Sequence, residues 1–226
     1  MKIVVESYKK ILEITANQII NIVKEQENPY LLLTSENSLI DLYQKIIQCY
    51  RNEIISFIQS KIFILSEYIN SDKNKIFALN KIIDDNLIKK IDLKSENFYY
   101  PKDVFSYNQI LNNISFFDFT LLYLDSDLKI SFNHLEGKLI NRTKIVGLSD
   151  YSIKNRFKNE DNHPQLAITM GIKDIFYKSK KIFLLILGDD KKKIINDIRN
   201  NNGKQSQFLK FLLMHHDLTI LTNVNN

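Results

Sequence analysis

Four short, mainly apolar runs constrain the fold of this 226-residue chain more than any other feature of its sequence. They lie at Leu31–Leu33, Ile62–Leu65, Phe119–Leu124 and Ile182–Leu187. A continuous apolar run indicates a strand buried on both faces, whereas a strand with one face in water alternates polar and apolar residues. Segments with helical spacing separate the runs. The pattern therefore predicts an α/β fold with a doubly wound, mostly parallel sheet and helices on both faces.

The rest of the chain continues this alternation. From Ser7 to Gln26 apolar residues recur at the spacing of one helix face. Further helices are predicted at 39–51, 72–90, 103–113, 149–157, 171–177, 190–200 and 206–215, and further extended segments at 1–5, 143–148 and 217–222. Ligands of such sheets bind at the carboxyl ends of the strands. The candidate crevice therefore lies among the loops that start near Thr34, Ser66, Asp125 and Gly188.

Composition narrows the class of protein. Hydrophobic residues make up 44% of the chain, which is enough for a sizeable core, and no linker or repeat divides residues 1–226, so we expect a single domain. No apolar stretch is long enough to cross a membrane, and the first residues do not resemble a signal peptide, which makes the cytoplasm the expected location. The net charge of +5 is spread along the chain, so we expect no nucleic-acid partner. The single cysteine, Cys49, excludes an internal disulfide and is expected to be a packing residue.

Several short motifs carry a resemblance to a known family. In the second half they are FN at 132–133, NRTK at 141–144, NRF at 155–157, QLAITMGI at 165–172 and LGDDK at 187–191. In the first half they are YLLLTSENSLIDLY at 30–43 and IFILSEY at 62–68, and LYLDSDLKISFN at 122–133 joins the two halves. Together they resemble the glucosamine-6-phosphate deaminase (isomerase) and 6-phosphogluconolactonase superfamily, and the deaminase branch matches better.

The resemblance implies a phosphorylated sugar as ligand, held by loop amides, an arginine and a lysine. Arg156 and Lys191 match these two positions, and guanidinium and ammonium groups both suit phosphate. Without the resemblance the two side chains would be interpreted as surface charges.

The matching phosphate loop comprises Ser35, Glu36, Asn37 and Ser38, of which the serines and the asparagine are candidate donors. Glu36 stands where the family motif has a glycine. A carboxylate there adds bulk and like-charge repulsion, unless it turns outward.

The positions that match the catalytic residues are mostly altered. Ser66 replaces the carboxylate base, with Glu67 beside it, and a serine hydroxyl alone is too weak a base to remove a carbon-bound proton. Asp127 matches the family aspartate. Lys129 replaces the histidine, His134 replaces the glutamate that orients it, and Leu128 replaces a glycine and is expected to crowd the sugar.

Two interpretations follow, and the sequence leaves both open. The first is a diverged deaminase or isomerase with impaired or lost chemistry, in which a rearranged site of Asp127, Glu67, Lys129 and His134 stays conceivable. The second is a noncatalytic module that binds a sugar phosphate or a protein partner. We expect no metal, since no recognisable metal-ligand spacing occurs, and no cofactor. Assembly into a homo-oligomer is left open.

Overall fold

The computed structural model describes residues 1–69, 78–134, 139, 142–157, 163–200 and 207–225. The start of the predicted helix at 72–90, Asn141 of the NRTK motif and Ser206 lie outside the described residues. The strands are β1 Lys2–Val5, β2 Tyr30–Leu33, β3 Lys61–Ile64, β4 Ser66–Tyr68, β5 Phe98–Tyr99, β6 Phe119–Tyr123, β7 Lys129–Ile130, β8 Asn133–His134, β9 Lys144–Gly147, β10 Leu166–Thr169, β11 Ile182–Ile186 and β12 Leu218–Thr222. The helices are α1 Tyr8–Glu25, α2 Ile40–Arg51, α3 Leu79–Asn86, α4 Val104–Asn112, α5 Asp150–Arg156, α6 Ile172–Lys178, α7 Lys192–Asn200 and α8 Gln207–Leu213.

Seven parallel strands form the central sheet, in the order β1-β12-β11-β6-β2-β3-β5. The four apolar runs of the sequence become β2, β3, β6 and β11, and they lie side by side in this sheet. The predicted mostly parallel α/β fold is therefore confirmed.

Helices cover both faces of the sheet. Along β2, Leu31 and Leu33 contact one core cluster, with α1, α2 and α3, while Leu32 contacts the other, with α4, α6, α7 and α8. Successive residues of a strand point to opposite faces of the sheet. Because both faces are covered by helices, a strand such as β2 needs apolar side chains at every position. Cys49 is partly buried on α2 and packs against the first cluster, in agreement with its predicted packing role.

A second, antiparallel sheet was not expected from the sequence. It has three strands in the order β4-β10-β9, and Ser66, the residue at the predicted catalytic-base position, pairs with Thr169 in it. Strands β7 and β8 form a two-stranded hairpin that pairs Lys129 with His134. Among the described residues no helix is long and apolar enough to cross a membrane.

Candidate functional site

A cleft of about 330 Å³ opens where β2 and β6 end, at the carboxyl edge predicted to hold the ligand. Helix α5 and residues from β4 and α3 complete it. Its polar lining is Ser35, Asn37, Ser38, Ser126 and Ser152, its charged lining is Glu36, Asp125, Asp127 and Arg156, and its remaining lining is Tyr68, Leu79, Ile82, Tyr123 and Tyr151. Hydroxyl groups and aromatic rings together suit a small polar ligand with an apolar face.

The guanidinium of Arg156 forms ion pairs with two carboxylates in the cleft. It ends α5 and lies over the ring of Phe132, with its guanidinium carbon 5.9 Å from the ring centroid. Its Nη2 lies 3.2 Å from Oδ2 of Asp125 and 3.5 Å from Oε1 of Glu36. Glu36 therefore turns inward, and the interpretation in which it points into solvent is wrong. The interpretation of Arg156 as a surface charge is also wrong, since only 24% of its side chain is exposed.

Burial and neighbouring charges shift the pKa values of this cluster. Burial raises the pKa of Glu36, Arg156 opposes this rise, and the negative charge of Asp125 adds to it. For Arg156, burial favours a lower pKa, but Glu36, Tyr68 and Asp125 outweigh it and raise the pKa above its usual value. Burial also raises the pKa of Tyr68 to about 12, so its hydroxyl stays protonated. The guanidinium is therefore permanently charged, and burial disfavours the charged form of the Glu36 carboxylate.

The loop from Ser35 to Ser38 lines the cleft directly after β2, as predicted. Asn37 and Ser38 begin a 3-10 turn that leads into α2, and the carbonyl of Ser38 accepts a hydrogen bond of 2.5 Å from the hydroxyl of Tyr8. Ser35 is only 7% exposed, and its Oγ has no hydrogen-bond partner among the described residues. Because a buried hydroxyl without a partner is costly, the Oγ of Ser35 is a candidate ligand contact.

Lys191, the second predicted phosphate ligand, lies deeper in the protein. It is 1% exposed, and its Nζ lies 2.5 Å from Oδ2 of Asp190. The chain reaches it through Gly188, whose φ of 98° lets β11 turn into the 3-10 helix at 189–191. Lys191 is not a surface charge, and the described lining of the cleft does not include it. The structure thus places Arg156 in the cleft beside the loop of Ser35, while Lys191 lies behind the described lining in an ion pair with Asp190.

Lys129 forms a buried ion pair with Asp127. Its Nζ donates to Oδ2 of Asp127 and to the Oγ atoms of Ser149 and Ser152, the latter two at 2.9 Å. Both serine hydroxyls also donate to Oδ2 of Asp127, at 3.0 and 2.7 Å, and Ser149 caps the amino end of α5. Burial favours a higher pKa for Asp127, but Lys129 and the two serines outweigh it and lower the pKa. The carboxylate of Asp127 is therefore held in its charged form.

Leu128 keeps the backbone conformation that favours glycine, although its side chain does not enter the cleft. Its φ is 54°, in the left-handed region. The side chain packs against the second core cluster and is not part of the described lining of the cleft. The expectation that Leu128 crowds a sugar is therefore wrong. The backbone of the neighbouring turn is held by Asp125, whose Oδ1 accepts from the amides of Asp127 and Lys129 at 2.9 and 2.8 Å.

The other catalytic candidates lie outside the described lining of the cleft. Ser66 is 6% exposed on β4. Glu67 is 5% exposed, and its carboxylate accepts from the amides of Tyr68, Leu79 and Asn80 at 2.8, 3.0 and 2.6 Å. Burial raises the pKa of Glu67, and these three bonds oppose the rise. Glu67 thus caps the amino end of α3. The last candidate, His134, is half-buried on β8. Of the rearranged site of Asp127, Glu67, Lys129 and His134, the described lining of the cleft includes Asp127.

Sequence reasoning missed several residues of the site. Among them are Asp125, which accepts hydrogen bonds from a turn and from Arg156, the serines Ser149 and Ser152, and Tyr68. A signal existed for Ser149, because serine before a helical pattern is a preferred N-cap. In the part of the chain that the structure describes, no group of three or more His, Cys, Asp or Glu residues is placed to hold a metal ion.

Comparison with known proteins identifies relatives along almost the whole chain. It is 30% identical to a glucosamine-6-phosphate deaminase of Malacoplasma penetrans over 95% of this chain and 94% of the relative. It is 32% identical to a glucosamine-6-phosphate deaminase of Clostridium botulinum (strain Eklund 17B), over 98% and 93% of the two chains. No family model matches the sequence.

Solved structures agree on the fold. A monomeric glucosamine-6-phosphate deaminase superposes with a TM-score of 0.89 at 24% identity, over 98% of this chain and 97% of that one. The 6-phosphogluconolactonase of Thermotoga maritima superposes with a TM-score of 0.73 at 13% identity, over 97% and 96%. At these identities the superpositions establish the fold, while the curated relatives establish the family.

Proposed function

Because the chain belongs to the glucosamine-6-phosphate deaminase family, to which its curated relatives tie it, we propose that it binds a sugar in the described cleft and has lost the deaminase chemistry. The observation that carries this proposal is the ion pair of Lys129 with Asp127. A general base needs an accessible electron pair and a pKa near the working pH. The ammonium of Lys129 has no electron pair to accept a proton, and a lowered pKa makes the carboxylate of Asp127 a weaker base.

The other carboxylates do not replace the missing base. Among the described lining residues, Glu36 and Asp125 are both bonded to Arg156, and Asp127 is bonded to Lys129. Glu67 lies outside this lining and is bonded to three amides, and Ser66 offers only a hydroxyl. General-base catalysis alone contributes a factor of roughly 10²–10⁴, so its loss is severe.

The cleft itself supports sugar binding. Its volume of about 330 Å³ is at the lower end of ligand pockets, where a single small ring fits. In the described part of its lining there are four serine hydroxyls and three tyrosine rings, which match the polar edge and apolar face of a pyranose.

Retained deamination is the second candidate function, favoured by the curated relatives and by the place of Asp127 in the cleft. Ammonia release from glucosamine-6-phosphate by the unmodified protein at saturating substrate separates the two. We expect turnover far below the enzymatic scale of ~1 s⁻¹, and turnover at that scale would overturn the proposal.

A restored variant gives the positive control. The triple change Ser66→Asp, Lys129→His and His134→Glu returns the residue types of the family motifs, and at saturating glucosamine-6-phosphate, where weak binding no longer limits the rate, we expect it to release ammonia faster than the unmodified protein. Ser66→Asp alone should not, because Lys129 would still neutralise Asp127.

A further inference from the structure

Arg156 forms ion pairs with two carboxylates at once, those of Glu36 and Asp125, and the proposed function does not account for this arrangement. Glu36 follows β2 and Asp125 follows β6, and the two neighbouring strand ends bring both carboxylates within 3.5 Å of one guanidinium nitrogen. Glu36 stands at the N-cap position of the 3-10 turn but makes no capping hydrogen bond with its side chain. Its carboxylate is therefore directed to Arg156 and not to the turn.

The charges that line the cleft are unequal. Among the residues of its lining that the structure describes, there are three carboxylates, those of Glu36, Asp125 and Asp127, against the single guanidinium of Arg156. The ammonium of Lys129 neutralises Asp127, which leaves one negative charge in excess. The neighbouring lysine, Lys191, is itself paired with Asp190. Burial and the charge of Asp125 both raise the pKa of Glu36, as expected for carboxylates crowded on one cation.

From this geometry, and resting on the proposed function, we propose that Glu36 and Asp125 exclude phosphate from the cleft and select an unphosphorylated, amine-bearing sugar. A phosphate dianion that approaches Arg156 meets two carboxylates already bonded to it, and like charges in contact are strongly unfavourable. An ammonium group instead neutralises the excess carboxylate. The buried Oγ of Ser35, which has no partner in the described part of the protein, is placed to bond a sugar hydroxyl.

Isothermal titration calorimetry of the full chain tests this selection with four probes: glucosamine, glucosamine-6-phosphate, glucose and inorganic phosphate. We expect glucosamine to bind at least about tenfold more tightly than either glucosamine-6-phosphate or glucose, a preference of the size that charge complementarity gives. Inorganic phosphate should bind more weakly than glucosamine.

Two substitutions reverse the selection. Glu36→Gln removes the excess charge, and Asp125→Asn removes a second charge while its Oδ1 still accepts the two amides of the turn. In the double variant we expect glucosamine-6-phosphate to bind at least about tenfold more tightly than in the unmodified protein, with glucosamine weakened. If the double variant does not fold, Glu36→Gln alone should shift both affinities in the same directions.

Asp41→Asn is the matched control, because Asp41 is an exposed carboxylate of α2 outside the described lining. This control should leave all four affinities unchanged.

The outcomes separate this inference from the proposed function. Binding of glucosamine-6-phosphate as tight as that of glucosamine, or equal binding of glucose and glucosamine, would overturn the inference and leave a sugar-binding protein. Absence of binding for all three sugars would overturn both. Unchanged phosphate affinity in folded Glu36→Gln and in the folded double variant would also overturn the inference, because Arg156 would then be unable to accept phosphate even without its carboxylates.

Discussion

Replacing Lys129 with methionine should destabilise the protein strongly, because the ammonium is buried in a set of oxygen acceptors. At an effective dielectric constant of about 20 and a separation of about 3 Å, the attraction between Lys129 and Asp127 is about 5 kcal/mol before desolvation is subtracted. Breaking a buried pair by removing one partner costs about 3–5 kcal/mol, since the other charge stays buried. The side chains of Lys129 and Asp127 are 10% and 19% exposed, so we expect the lower end of this range, about 3 kcal/mol.

A double-mutant cycle measured by urea unfolding checks this prediction. Lys129→Met combined with Asp127→Asn should recover most of the loss, with a coupling energy of about 2 kcal/mol, because no uncompensated charge remains. Lys154→Met is the control, since Lys154 is an exposed lysine of α5, and its cost should be within about 0.5 kcal/mol of zero. If Lys129→Met cost no more than this control, or if the two single losses simply added, Lys129 would not be a structural cation and its assignment as a catalytic group would regain support.

Substitutions at two further positions, Glu67 and Leu128, test individual roles through stability. Glu67→Ala should lower the free energy of unfolding by about 2 kcal/mol and Glu67→Gln by less, because three amides lose their acceptor in the first variant and keep part of it in the second. A loss of sugar affinity in either variant without a loss of stability would contradict this capping role. Leu128→Gly should be more stable than Leu128→Ala by about 1 kcal/mol, the reverse of the usual order, because only glycine adopts a positive φ without strain. Urea unfolding that ranks the alanine variant first would contradict the strain at Leu128.

The parallel sheet was predictable because its signal is local. Each of the strands β2, β3, β6 and β11 is apolar on both faces, so its burial can be inferred without its neighbours. The antiparallel sheet was not predictable, because Ser66–Tyr68 is three residues long and carries a polar and a charged residue. Its pairing with Leu166–Thr169 is decided by contacts about 100 positions apart in sequence. Such a short segment shows no periodicity that could be recognised.

The site was partly predictable for a similar reason. The motifs placed the loop of Ser35 and Arg156 together, and the structure agrees. The direction of Glu36, however, is set by a guanidinium 120 positions later, which no local pattern encodes. The capping role of Glu67 gave no local signal either, because the amides of Leu79 and Asn80 lie 12 and 13 positions after it.

The altered positions of the site are coupled in pairs, and under the proposed loss of deamination this coupling decides how the chemistry could return. Lys129 stands beside the retained Asp127, and Glu36 and Asp125 stand beside the retained Arg156. Reversing Lys129 alone would leave Asp127 with only serine donors and no base at Ser66, while reversing Glu36 alone would leave Arg156 bonded to Asp125. If deamination has been lost as proposed, neither single reversal is enough, because the first leaves no carboxylate at the base position and the second frees Arg156 only in part. Full recovery of deamination would then require Ser66, Lys129 and His134 to change together, and full recovery of phosphate binding would require Glu36 and Asp125 to change together.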